Sequence, residues 1–434
     1  MSEEHVRAAR AQRASQRALG ARARGATGGC SVPPESVETL VVGGGPAGAA
    51  AATTLAQDGR DVLVVDKATF PRDKCCGDGL TTLALRLLAD LGFDRTPVAS
   101  WQPVTDIHLR APGGRVVDLR LPDGPGRYAA VARRADLDTA LLRHAAASGA
   151  AVAEGVTFRS ATDHGDHVAV ELEGQRDIRA QYVIGADGMW SPVRKALGRA
   201  DTGYRGDWHA FRQYLTGAAP AAQDLWVWFD ADLLPGYAWS FPLPDGGVNV
   251  GFGVPRRSRL DGHALAAQWR GLLDRAHVRA VLGDAVVAAP HRAWPIPARI
   301  PSVELAAAGG RALFVGDAAA AADPMTGEGI GQALETGILA ARSIIAAGGQ
   351  RPDTAATAYR RGVRRSLWAD HRMAAALSRL LARPRLADAA LASVDACSWT
   401  RANFARWMFE DEPRACVVTP RRWHRRFLRR PGAL

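Results

Sequence analysis

Three glycines spaced Gly43-x-Gly45-x-x-Gly48 carry the clearest chemical signal in this 434-residue chain. Gly43 suits a tight turn. Gly45, followed by Pro46 and Ala47, lets backbone approach a pyrophosphate, and Gly48 lets a helix pack closely on a sheet. The turn sits between an apolar run at 40–42 and an Ala-rich segment, so a strand feeds a helix whose free N–H groups meet phosphate. Asp66 closes a second apolar strand, where a carboxylate would hold a ribose hydroxyl. With strand, helix and acid all present, the pattern predicts dinucleotide binding rather than a mere glycine-rich turn. Two other groups offer chemistry. Cys76 places a thiol in a glycine-containing loop, and Tyr237, Trp239 and Phe241 alternate along one stretch. On a strand these three rings share a face. That face walls an apolar chamber or fills a sandwich core, and the spacing alone permits both.

The elements that must position these groups follow from the pattern. Residues 37–70 form a βαβ unit, and 71–80 a polar loop. A helix is predicted over 81–91, short strands over 104–131, a helix over 134–148 beginning at Arg134, and three strands over 150–187. Residues 204–254 read as a separate antiparallel sheet, in which Trp226 and Trp228 alternate and an Asp-Gly-Gly turn joins two strands as a hairpin. Helices follow at 260–283, a strand at 312–315, and long amphipathic helices thereafter. Residues 1–36, rich in Ala, Arg and Gly, read as a disordered basic tail.

Composition narrows the class. The formal net charge is +11, with apolar residues at 47%. The charge sits at the ends: residues 1–28 carry +4 and 351–434 carry +11, whereas 29–350 carry −4. A nucleic-acid-binding body is therefore not expected. The five cysteines show no metal spacing and no disulfide framework, so no metal is predicted. With no secretory segment and no membrane span in the pattern, the expected location is cytoplasmic.

Further motifs fall in a fixed order. Gly185-Ala-Asp187-Gly188 is followed by Ser191 and Arg194, then Gly316-Asp317, then Asp323-Pro324 and Gly327-Glu328-Gly329-Ile330. This order resembles the FAD-dependent oxidoreductases with the para-hydroxybenzoate hydroxylase-like fold. Lys74-Cys75-Cys76-Gly77-Asp78-Gly79-Leu80-Thr81 and Pro235-Gly-Tyr237-Ala-Trp239-Ser-Phe241-Pro242 narrow it to the geranylgeranyl reductase family, whose members saturate isoprenoid double bonds. Thr82 stands where that family usually carries Pro. The resemblance implies an α/β fold: a split, Rossmann-like three-layer FAD-binding domain (37–103, 132–200, 305–345), an antiparallel-sheet substrate domain (104–131, 201–304) and C-terminal helices with a basic tail (346–434). It implies that FAD meets Asp66, Lys67, Arg72, Cys76, Gly77, Gly79, Arg134, Val156, Asp317, Gly329 and Ile330 besides the glycine turn. Arg134 would meet the pyrophosphate or the ribose, Arg72 would bind phosphate, Val156 would offer backbone to adenine, and Asp317 would hold the ribityl chain. Tyr237, Trp239 and Phe241 would line a prenyl tunnel, and Cys76 would lie near the flavin, where a proton-donating role is one option.

The implied activity is reduction of carbon–carbon double bonds in the prenyl chain of a quinone, lipid or diphosphate. An FAD-dependent monooxygenase of an apolar substrate is the alternative. Only one complete dinucleotide fingerprint is present, so NAD(P)H or a reduced electron carrier would dock transiently. The segment 419–430, with six Arg on one side of a short helix and Trp423 and Phe427 on the other, suits an anionic membrane surface. Peripheral contact with the inner face of a membrane is the expectation.

Overall fold

The computed structural model describes residues 34–121, 128–256, 262–348 and 350–419, and all the elements below belong to one unit, Glu35–Leu434. The expected tail at 1–33 and the Arg-rich segment from 420 onward lie outside the described residues.

The strand Ser36–Val42 is the centre of the first sheet. It pairs in parallel with Val62–Asp66 on one side and Ile178–Gly185 on the other. Beyond these lie Ala151–Glu154, parallel to Val62–Asp66, and Ala312–Phe314, parallel to Ile178–Gly185. Parallel strands covered on both faces become continuous apolar runs, and Leu40, Val41, Val64 and Val65 are all fully buried. An antiparallel hairpin, Phe158–Asp163 and Val168–Leu172, extends the sheet from Ile178–Gly185. The segment 150–187 thus holds four strands where three were expected. The short Ala151–Glu154 belongs to the parallel part and the hairpin does not.

The helix Pro46–Gln57 starts with Gly45 at its N-cap and Pro at its first position, where the missing N–H costs nothing. Gly43 has φ of +109°, and a Cβ there would come within 2.3 Å of the Ala186 carbonyl oxygen. A Cβ on Gly48 would lie 1.9 Å from the Gly43 oxygen. Both glycines are steric necessities, and the turn fixes the helix start over the sheet's edge.

The second sheet runs in the order Val286–Val287, Trp208–Thr216, Val248–Pro255, Tyr237–Pro242, Leu225–Trp228, Asp106–Arg110, Val116–Arg120, with Arg292–Ile296 also on Trp208–Thr216. It is antiparallel except for one pair: Leu225–Trp228 runs parallel to Asp106–Arg110. That exception joins strands far apart in sequence, beyond the reach of hairpin logic. A three-stranded sheet, Gly79–Leu80, Ala129–Val131 and Gln102–Val104, bridges from the loop after Asp66. The helices Pro352–Ser366, Trp368–Leu381, Pro384–Val394 and Ser398–Met408 follow Ile330–Ala346. No helix among the described residues is long and apolar enough to cross a membrane.

Candidate active site

A cavity of about 800 Å³ runs from the Gly43 turn to the aromatic face of the second sheet. Every binding candidate named from sequence borders it except Gly48, which lies within its helix against Gly43 and Ala186.

At the nucleotide end the Asp66 carboxylate accepts from the Gly44 amide at 2.7 Å and the Ala68 amide at 2.8 Å. These bonds aim it at the turn and leave lone pairs for a hydroxyl. Arg72 and Arg134 both flank Gly45: a Cβ there would sit 3.5 Å and 4.0 Å from their Nη2 atoms. Two guanidinium groups therefore converge where the glycine turn would admit a pyrophosphate. Asp138 holds them both. It takes a bidentate pair from Arg134, at 2.7 Å for each bond, and an ion pair from Arg72 at 3.0 Å. The four-residue spacing from Arg134 to Asp138 on one helix face was the available sequence signal for this partner. Lys67 and Val156 border the same end, and the Val156 N–H is already donated to the Asp66 carbonyl at 2.9 Å. Asp317 borders the middle of the cavity and accepts an ion pair from Lys74 Nζ at 2.9 Å.

Gly329 and Ile330 place the start of the helix Ile330–Ala346 at the cavity. Two of its first amides are already engaged there. The Ile330 and Gly331 N–H groups donate to Glu328 Oε1, at 2.9 and 3.3 Å.

At the substrate end Tyr237, Trp239 and Phe241 form a row, with successive ring centroids 5.9 and 6.0 Å apart. Gly77 and Gly79 make room for them, since a Cβ on Gly79 would touch the Phe241 ring at 3.0 Å. A buried polar network locks this loop to the row. Trp239 Nε1 donates to Asn249 Oδ1 at 3.1 Å, and Asn249 Nδ2 donates to the Cys76 carbonyl at 3.0 Å and to Asp78 Oδ2 at 2.8 Å. The Tyr214 hydroxyl reaches the same Asp78 oxygen at 2.6 Å. Burial pushes Asp78 up to about 6, against the lowering effect of these donors. Asp78 entered the sequence reading only as a member of the Lys74–Thr81 motif with no role given, and Asn249 and Tyr214 were not singled out, because lone polar residues in strands carry no pattern. Cys76 borders the cavity, and burial pushes its thiol up to about 11 although Arg134 opposes this. Burial thus favours its neutral thiol form.

The far wall comes from a region read in sequence only as helices. Leu381, Leu391, Val394, Phe404, Trp407 and Met408 all border the cavity. Arg414 anchors this wall: its Nε donates to Asp323 Oδ2 at 2.9 Å, and its Nη2 lies 3.6 Å from Glu410. Tyr237 donates its hydroxyl to the Thr326 carbonyl, joining the aromatic row to the same loop. Burial raises Glu328 to about 7 and Glu410 to about 8.

The residues fit an FAD-sized group. The glycine turn has no room for a Cβ at Gly43 or Gly48, two guanidinium groups lie beside Gly45, and the Asp66 and Asp317 carboxylates border the same cavity. Comparison with known proteins agrees. The FAD binding domain family matches residues 36–369. Menaquinone reductase of Mycobacterium tuberculosis is 36% identical over 327 residues, covering 71% of this chain and 76% of the relative. Digeranylgeranylglycerophospholipid reductase 2 of Methanopyrus kandleri is 30% identical over 338 residues, covering 75% and 80%. A geranylgeranyl bacteriochlorophyll reductase-like structure from Thermoplasma acidophilum shares the fold, with a TM-score of 0.74, 22% identity, and coverage of 90% of this chain and 100% of that one. The chain belongs to the geranylgeranyl reductase family of FAD-dependent oxidoreductases.

Proposed function

We propose that this oxidoreductase saturates carbon–carbon double bonds in the prenyl chain of a quinone, lipid or diphosphate. One observation carries the reading: a single cavity joins the pyrophosphate cradle at Gly45 to an apolar chamber walled by Tyr237, Trp239, Phe241 and the C-terminal helices. The names of the two relatives, a menaquinone reductase and a digeranylgeranylglycerophospholipid reductase, fit that chemistry.

In this reading Arg72, Arg134 and the turn hold the FAD pyrophosphate, Asp66 a ribose hydroxyl, and Asp317 the ribityl chain. Bound reduced FAD supplies the hydride. An isolated alkene is a poor hydride acceptor, so a proton must reach the second carbon as the hydride reaches the first. The protein must then hold both donors within about 3–3.5 Å of the double bond. The aromatic row and the apolar helix wall exclude water from that geometry. NAD(P)H or a reduced electron carrier renews the reductant by transient docking, since one complete dinucleotide fingerprint is present.

Mass spectrometry of quinones and prenyl lipids from cells with and without the gene tests the reading. A gain of two hydrogens in one prenyl species, dependent on the gene, is expected. A gain of one oxygen instead would replace it with monooxygenation.

A further inference from the structure

We propose that Glu328 is the acid that delivers the proton to the alkene, an assignment that rests on the alkene-reductase reading above. Its side chain borders the cavity in the turn that opens the helix Ile330–Ala346. Its two oxygens have different surroundings. Oε1 accepts the Ile330 and Gly331 amides. An oxygen that only accepts keeps these bonds whether or not the group is protonated. Oε2 makes no hydrogen bond among the described residues, and Glu328 forms no ion pair there. The proton therefore has one place to sit, on the oxygen left free of the helix amides.

The surroundings favour an acid that is protonated near neutrality. Burial raises Glu328 most, the two helix amides lower it, Asp323 raises it and Arg134 lowers it, for a value of about 7. The other charged or titratable groups around it are Cys76, Tyr237 and Glu410, with Arg414 behind them. Cys76 is the competing donor on the same cavity. Its thiol is pushed up to about 11 by burial, so releasing its proton would leave a thiolate that burial disfavours. Glu328 is the stronger acid by a wide margin. Tyr237 is committed to the Thr326 carbonyl and is raised further by burial.

The step balances. The alkene π pair forms a C–H bond with the proton from Glu328 Oε2, and the hydride from the bound reductant forms the second C–H bond. The reductant loses two electrons and Glu328 is left as carboxylate, to be reprotonated from water. A protonated acid is required, so turnover falls as pH rises through about 7.

The test uses full-length, FAD-loaded protein. Glu328→Gln keeps an oxygen for the helix amides and removes the acid. Its turnover of a prenyl substrate is expected to fall roughly a hundredfold, and the fall with pH above neutrality is expected to disappear. Flavin absorbance and the rate of flavin reduction by dithionite should be unchanged. Infrared spectroscopy supplies a readout independent of turnover: a protonated-carboxyl band that titrates near neutral pH in the wild type and is missing in the variant. Glu328→Asp, a shorter acid, covers the case in which the amide variant does not fold, and should keep the pH limb at reduced rate. A Glu328→Gln enzyme within about twofold of wild type, or a Glu328→Asp enzyme whose rate no longer depends on pH, overturns the assignment. Wild-type protein that saturates no prenyl substrate at any pH removes the functional reading instead.

Discussion

Asp323 and Glu410 lie on either side of the Arg414 guanidinium, and their environments drive them apart. Burial opposes ionisation at both. At Asp323 it is outweighed by Arg414 at 2.9 Å and by the Met325 and Thr326 amides, which hold the carboxyl below its usual range. At Glu410 the guanidinium is 3.6 Å away and the partners are the neutral Thr81 hydroxyl and Gln332 amide, so burial prevails. One cation is thus matched by one anion. The linkage sign follows. Glu410 binds its proton more tightly folded than unfolded, so its contribution is present below its ordinary value near 4.5 and is lost as pH rises through about 8. Glu410→Gln is expected to remove this slope, at most about 1.4 kcal/mol per pH unit. Denaturant unfolding between about pH 6 and pH 9 measures it, and an unchanged slope in the variant would show that Glu410 is ionised in the fold. Asp317 offers a second residue-level test. Replacing it with Ala removes a charged acceptor, worth about 1.5–3 kcal/mol, and FAD affinity measured by equilibrium dialysis should drop accordingly. Colourless protein that folds and ignores added FAD would refute the cofactor reading altogether.

Among the elements, the C-terminal helices change character once their packing is known. They wall the cavity and pack in one apolar cluster with Tyr237 and Phe241, and the buried Arg414–Asp323 pair ties the segment after them to the turn before Glu328. Removing one partner of such a pair strands the other without compensation, and typically costs about 3–5 kcal/mol. Arg414→Ala should therefore lower unfolding stability by that order, and a loss below 1 kcal/mol, on the scale of a surface pair, would contradict the buried geometry. Trp239→Ala should behave differently. It leaves the glycine turn untouched, so FAD binding should persist while prenyl turnover falls. An unfolded variant whose residual protein keeps its substrate selectivity would make the row ordinary core. The same elements show what was legible in the chain. The Gly43 turn, the hairpin of Tyr237–Pro242 with Val248–Pro255 and the helix from Arg134 were readable because periodicity and turn chemistry are local. The contacts of Asp78 with Tyr214 and Asn249, or of Thr82 with Phe409, were not, because they join residues with no shared period. Thr82 donates its N–H to the Phe409 carbonyl at 2.9 Å and its hydroxyl to that of Tyr128 at 2.8 Å. A proline at this place would have no N–H to make the first bond.

Across the whole sequence, positive charge concentrates toward the C-terminus, whereas exposed large apolar side chains among the described residues are spread over Val116, Trp190, Val286 and Val287 as well as Leu380, Trp399 and Val418. Residues 351–434 carry +11 while 29–350 carry −4. Leu380 is 48% exposed and Trp399 57% exposed, on helices whose other residues, Leu381 and Phe404 among them, border the cavity. A prenyl-tailed substrate resides in a bilayer, and an enzyme that takes it up gains by holding its apolar wall against that bilayer. Each Arg near an anionic surface contributes about 1 kcal/mol, and the benefit fades within a Debye length. The six Arg in 421–430, together with Trp423 and Phe427, are therefore predicted to give reversible peripheral binding without a membrane span. Co-sedimentation with liposomes checks this, using the full chain, a chain ending at Val418, and a Leu380→Ala, Trp399→Ala double variant. The full chain should sediment with anionic vesicles at low salt and release at high salt except for a small fraction held by apolar contact. The truncated chain should bind less, and the double variant should lose the residual salt-resistant fraction. Equal sedimentation of all three, or indifference to lipid charge, would leave the Arg-rich segment an ordinary solvated tail and Leu380 and Trp399 without a part in docking.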